Sequence, residues 1–142
     1  MEEVLLATLV SFGMVLVTVT VHYGTLAGLS DILRHWGKFR GQILLVVMVM
    51  FFAHMVEVSL YGLVYWLMDG IDVSMAIGGN VSGDFLDHLY FSTACYTSLG
   101  LGDIYPIGAL RLIAGVEALN GLILITWSAS FAFLVMQRRW RF

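Results

Sequence analysis

From Val4 to Ser30 the chain carries no aspartate, glutamate, lysine or arginine, and a helix needs only about 20 apolar residues to cross the hydrocarbon core of a bilayer. The run reads as a membrane helix. Gln42 to Met68 is a second apolar run, with Glu57 its only acidic or basic residue, and Ile107 to Gln137 is a third, with Arg111 near its start and Glu117 within it. Both are long enough to span with some tilt. Composition agrees, because 60% hydrophobic and 12% charged residues in a chain of 142 leave too little polar surface to cover a water-soluble domain. The acidic start, Met1-Glu2-Glu3, lacks the lysine or arginine that opens a secretory signal, so the first run is expected to be retained. Cys95 is the single cysteine, which excludes an internal disulfide framework and a multi-cysteine zinc site.

Charge position predicts orientation, since lysine and arginine in short loops stay on the cytoplasmic side. Arg34, Lys38 and Arg40 follow the first run and Arg138, Arg139 and Arg141 follow the third. The N-terminus and residues 69–106 are then external. That outer side holds Glu2, Glu3, Asp69, Asp72, Asp84, Asp87 and Asp103 against Arg111, and an acidic mouth concentrates cations.

Between the second and third runs lies a Gly- and Asp-rich loop, 69–83, followed by a short apolar stretch that ends in Gly100-Leu101-Gly102. Asp84 is placed as an N-cap and 84–97 as a short helix entering the membrane from outside, too short for a fourth span. Non-helical backbone at membrane depth is tolerated only where protein buries it or water bathes it. Residues 98–103 therefore read as the wall of a wet cavity, with an ordinary external turn as the alternative. Glycine at alternate positions lets carbonyls of consecutive residues face one axis and replace water around a dehydrated ion, and the negative end of the short helix favours a cation there. One chain supplies one wall, so several copies are expected around a symmetry axis.

The stretch Asp87-His-Leu-Tyr-Phe-Ser-Thr-Ala-Cys-Tyr-Thr-Ser-Leu-Gly-Leu-Gly-Asp-Ile-Tyr-Pro106 resembles the pore helix, selectivity filter and following turn of potassium channels. Their filter usually reads Thr-Val-Gly-Tyr-Gly-Asp, where this chain has Ser98-Leu99-Gly100-Leu101-Gly102-Asp103. His54-Met-Val-Glu57 and the third run from Arg111 are similar to small bacterial channels of the two-pore type. The resemblance covers roughly residues 42–137. It implies an all-α membrane protein of three transmembrane helices, with a re-entrant pore helix and filter loop between the second and third, assembled as a homotetramer. The parts implied are an extra helix and cytoplasmic loop at 1–41 and a pore domain at 42–142. The latter comprises an outer helix 42–68, an external loop 69–83, a pore helix 84–97, a filter 98–103 and an inner helix 107–137. Ser98, Leu99, Gly100, Leu101 and Gly102 would coordinate the ion, with Thr97 and Asp103 supporting the filter and its mouth. Ser98 keeps the hydroxyl of the usual threonine, whereas Leu101 lacks the ring and hydroxyl of the usual tyrosine.

Counted along the runs, His54, Glu57, Glu117 and Asn120 fall at similar depth, and His54 and Glu57, three apart, share a face. Ionisable groups at that depth are costly and point to function. They read as a network behind the filter, with a pH-sensing or ion-pathway role and a metal site as alternatives. His22 and His88 are placed nearer the interfaces, and Tyr65, Trp66, Trp127 and Trp140 as interface or packing aromatics. Gly121 serves helix packing or, as the resemblance implies, a hinge. In the hinge reading Leu122, Ile125, Ala129, Ser130 and Phe133 line the cavity and gate below the filter.

The expected function is conduction of monovalent cations, potassium first among them, in a bacterial inner membrane, with the N-terminus external and the C-terminus cytoplasmic. It involves no catalytic step, no cofactor, no nucleic acid and no dedicated protein metal site. Lipid, permeant cations and copies of the same chain are the expected partners. The alternatives are a nonconducting accessory membrane protein that keeps the pore fold and a membrane-embedded metal protein using His54, Glu57 and Glu117. No row of arginines at every third position marks a voltage sensor.

Overall fold

The structure is a computed structural model that describes residues 1–36, 41–71 and 75–140. Lys38, Arg40, Asp72 and Arg141, weighed above as charges, lie outside the described residues, as do the side chains of Arg139 and Trp140. The element order is α1 (Glu2–Trp36), α2 (Gln42–Ile71), β1 (Ile77–Gly79), α3 (Phe85–Tyr96), β2 (Ile104–Pro106) and α4 (Leu110–Trp140). Among the described residues three stretches are long and apolar enough to cross a membrane: Glu2–Trp36, Gln42–Ile71 and Leu110–Arg138. At 1.5 Å per residue α1 is about 52 Å long and overshoots a hydrocarbon core of about 30 Å.

Each long helix buries one stripe at helical spacing. On α1 it runs Ala7, Ser11, Thr18, His22, Leu26 and Leu29, and on α2 Val46, Met50, Ala53, Glu57, Tyr61, Tyr65 and Met68. On α4 it runs Leu110, Ile113, Glu117, Asn120, Leu124, Ser128 and Val135. Intervals of three, four and seven residues keep such a stripe on one face. The three helices pack against one another along these stripes, and α3 lies against α2 and α4. The opposite faces leave Leu16, Leu44, Phe52, Leu119 and Phe133 exposed, a surface suited to lipid or to other copies rather than to water.

The buried interior has three layers. One apolar core gathers Ala7, Val58, Tyr61, Tyr65, Phe91, Ile104, Leu110 and Ile113, and a second gathers Leu26, Leu29, Val46, Met50 and Val135. Between them along the helices sit His22, His54, Glu57, Glu117, Asn120 and Ser128.

Several boundaries differ from the sequence reading, and two of them frame the site. The inner helix expected from 107 begins at Leu110, because Ile104–Pro106 forms β2 and pairs antiparallel with β1 within the expected loop 69–83, Ile77 opposite Pro106 and Gly79 opposite Ile104. The outer helix runs past Met68 to Ile71, and the end it extends is held by Asp69, whose Oδ2 lies 2.8 Å from Nε2 of buried His88 on α3. Asp84 occupies the N-cap position of α3 but makes no side-chain capping bond. Asp87 in the first turn instead ties down the preceding turn, its carboxylate accepting the Ser82 and Gly83 N–H groups at 2.6 and 3.0 Å and the Ser82 hydroxyl at 2.8 Å.

Candidate functional site

Residues 97–103 leave α3 in an ordered, non-helical path. Ser98, Gly100 and Gly102 have φ of 57°, 55° and 83°, whereas Leu99 and Leu101 between them do not have positive φ. A Cβ built on Gly100 or Gly102 meets nothing within 4 Å, so these glycines are required for conformation rather than space. The N–H groups of Ser98, Leu99 and Gly100 turn back to the end of α3, donating to Cys95 O at 2.9 Å and to Ala94 O at 2.9 and 3.3 Å. Among the described residues every peptide is trans, and in a trans peptide the carbonyl points opposite the following N–H. The carbonyls of Thr97, Ser98 and Leu99 therefore point away from α3, and the segment that bears them is exposed on the single chain.

Both ends of this segment are anchored. At the entry Thr97 caps α3, its hydroxyl donating to Thr93 O at 2.7 Å. At the exit the Asp103 carboxylate accepts the Tyr90 hydroxyl at 3.0 Å, and the Asp103 carbonyl accepts the Asn80 N–H at 3.1 Å. The β1–β2 pair thus closes a loop whose ends cannot drift apart. Nearby, Ser82 and Gly83 donate to Asp87 and hold its carboxyl below the usual aspartate range, Ser82's hydroxyl being the largest cause.

The buried polar groups form three clusters where the sequence reading places one set. Glu57 lies 2.9 Å from His22 Nδ1 and 3.0 Å from His54 Nδ1, and it accepts the Tyr96 hydroxyl. Ser128 Oγ lies 3.0 Å from His54 Nε2 and 3.3 Å from His22 Nε2, closing a ring that joins all four helices. Glu117 stands apart, accepting Tyr65 at 2.5 Å and Ser92 at 2.6 Å. Asn120 donates to Thr18 at 2.8 Å and Tyr61 at 3.3 Å. Among the described residues every buried side-chain nitrogen and oxygen has a partner.

The ion channel family profile matches residues 43–138, covering α2, the whole of 97–103 and nearly all of α4. The chain belongs to the ion channel family. No curated protein and no solved structure matches it. Membership makes the chain an integral membrane protein with an ion-transport role, and channels of this kind work as membrane oligomers. The helix α1 lies outside the matched region.

In this channel Leu122, Ile125, Ala129, Ser130 and Phe133 are all exposed on the single chain, whereas Gly121 is buried. A Cβ on Gly121 would collide with the Tyr96 carbonyl oxygen, so the glycine is where α4 admits the end of α3. Packing is the role that geometry assigns to it. His22, placed near an interface by the sequence reading, is 1% exposed near the middle of α1, on the stripe that packs against α2 and α4. Tyr65 likewise belongs to the interior. Tyr96, Ser92, Ser128, Thr18 and Tyr61 had no signal beyond being polar at positions on buried stripes, and a helical-face count on each run is what could have found them.

Proposed function

We propose that the channel is a homotetramer conducting monovalent cations, potassium first among them, through a filter made by residues 98–102 of four chains. The observation that carries this reading is the alternation of positive φ at Ser98, Gly100 and Gly102, combined with N–H groups tied back to α3. That combination turns consecutive carbonyls to the side away from α3, and four such walls around an axis would replace the hydration shell of a cation. In this arrangement α3 is a re-entrant pore helix whose C-terminal end faces the ion. Asp103, held by Tyr90, stands at the outer mouth. The exposed leucines at 99 and 101, 64% and 58% accessible on one chain, would be covered by neighbouring subunits. The clusters at Glu57 and Glu117 brace the pore helix from behind through Tyr96 and Ser92. The lysine and arginine bias supports an N-terminus outside and a C-terminus in the cytoplasm, and a bacterial inner membrane is the expected setting.

Purified protein in mild detergent tests the assembly by mass and, once reconstituted into liposomes, tests conduction by cation flux. A tetramer with flux that disappears in Gly100→Ala is the expected result. A monomer or dimer as the only species, or undiminished flux in that variant, removes the reading.

A further inference from the structure

The ring around Glu57 is short of one hydrogen. A carboxylate, two neutral imidazoles, a phenol and a hydroxyl bring four hydrogens, yet six contacts link Glu57 to His22, His54 and Tyr96, His54 Nδ1 to Tyr96, and Ser128 to both histidines, and only the His54 Nδ1 hydrogen can be shared, between Glu57 and Tyr96. With both Nδ1 atoms donating to Glu57, both Nε2 atoms face a serine that has a single hydrogen. One of these contacts then sets lone pair against lone pair.

The donors that face inward form a ligand set. His22 Nδ1, His54 Nδ1 and the Glu57 carboxylate come from α1 and α2, and ligand atoms of these three residues lie within 4.8 Å of one another. The Tyr96 hydroxyl joins them, 2.8 Å from His54 Nδ1 and bonded to Glu57. A tetrahedral ion with bonds of about 2.0 Å separates its donors by about 3.3 Å. Three of these spacings, at 2.8 to 3.0 Å, therefore need to open by only a few tenths of an ångström, and the shorter Tyr96–Glu57 one by more.

We infer that His22, His54, Glu57 and Tyr96 form a binding site for a divalent transition-metal ion of the zinc class, seated between α1, α2 and the end of α3. Imidazole nitrogens select this class over magnesium or calcium, which take oxygen ligands. With the ion on Nδ1, each histidine carries its hydrogen on Nε2, and both donate to Ser128 Oγ, which has two lone pairs to accept them. The conflict at Ser128 disappears, and the serine becomes the outer partner that orients metal-bound histidines. Glu57 and an ionised Tyr96 balance the charge of the ion, so the buried site is neutral. The hydrogen released from the tyrosine leaves with the one the ring otherwise needs, two single charges for one divalent ion. His54, at 20% exposure, is the side from which an ion enters. Its consequence is mechanical: the ion pins Tyr96, two residues before Ser98, to the helix α1 that lies outside the family match.

The test uses the full-length protein in detergent, stripped with chelator and then equilibrated with zinc, cobalt(II) or magnesium. Elemental analysis after desalting is expected to find one zinc per chain and no retained magnesium, and the cobalt form is expected to show the intense visible absorption of a four-coordinate centre. His22→Ala should lose stoichiometric zinc, and Ser128→Ala should bind about 10–100-fold more weakly. If His22→Ala fails to fold, X-ray absorption at the zinc edge of the wild type decides alone. Four nitrogen and oxygen neighbours including two imidazoles support the site, and a six-coordinate or absent ion overturns it. A folded wild type that takes up no zinc, or zinc uptake unchanged in a folded His22→Ala, also overturns it, the former leaving the ring as a proton-sharing network only. Neither readout involves conduction, so failure of the filter reading would be visible separately.

Discussion

Gly121 shows how one missing methyl positions the pore segment. Its Cα faces the Tyr96 carbonyl so closely that an added Cβ would overlap the oxygen and lie 2.9 Å from the carbonyl carbon. Gly121→Ala must push α3 away from α4, and overpacking of this kind costs about 1–3 kcal/mol. A lowered thermal midpoint of the assembled protein is expected, and an unchanged midpoint would return the residue to a pure hinge role. Leu101 raises the opposite question, since 58% of it is exposed on one chain and it carries no hydroxyl. Leu101→Tyr is expected to shift the reversal potential toward potassium in mixed potassium and sodium, because the hydroxyl adds a hydrogen-bonded brace. No shift would mean that apolar packing between subunits already holds the filter. Ser98, the one described non-glycine residue with positive φ, bears a conformational cost of about 1 kcal/mol that glycine at this position would relieve.

The short elements around α3 explain why the segment after it keeps its shape, and they were the least legible in the sequence. The three long helices follow from long apolar runs alone, since length and hydropathy leave few other folds in a membrane. The β1–β2 pair has three residues a side, too few to display an alternating pattern, and the sequence reading left it inside a loop. Asp84 is the N-cap residue that the sequence predicts, but its side chain makes no capping bond, and it is Asp87 that reaches back to the turn. The buried clusters were half legible for a related reason. Depth along a helix can be counted, which found Glu57 and Glu117, but partners depend on how each helix is rotated and how far it extends, which hid His22 and Ser128. Asp87 supplies a pH test at this level. Its folded carboxyl titrates below the ordinary aspartate value of about 3.9, so its hold on the turn is fully present above that value and is lost as pH falls through the depressed one. The amide resonances of Ser82 and Gly83 are expected to titrate with a midpoint below 4 and to lose that titration in Asp87→Asn. A midpoint above 4 would mean that the carboxylate is not engaged.

Across the assembled channel, the apolar faces exposed on one chain must be divided between lipid and neighbouring subunits. Leu122, Ile125, Ala129, Ser130 and Phe133 form one such face on α4. We place it toward the water path below the filter, with four Phe133 rings as a dewetting constriction near the cytoplasmic end. Phe133→Ala is expected to raise open probability without changing ion preference. Cysteines placed along α4 check the rotation, as a charged thiol reagent from the cytoplasmic side should block those on this face. Protection of this face with modification of the opposite one would show that α4 is turned. The claim on which the rest depends is that cations sit in a column lined by the carbonyls of residues 98–102. Diffraction from crystals of the assembled channel soaked in thallium(I), which substitutes for potassium and scatters anomalously, addresses it directly. The account expects anomalous peaks strung along a four-fold axis within bonding distance of those carbonyls, and their loss in Gly100→Ala. Peaks absent from that axis in a well-ordered wild-type tetramer, or lying between subunits away from residues 98–102, would contradict it.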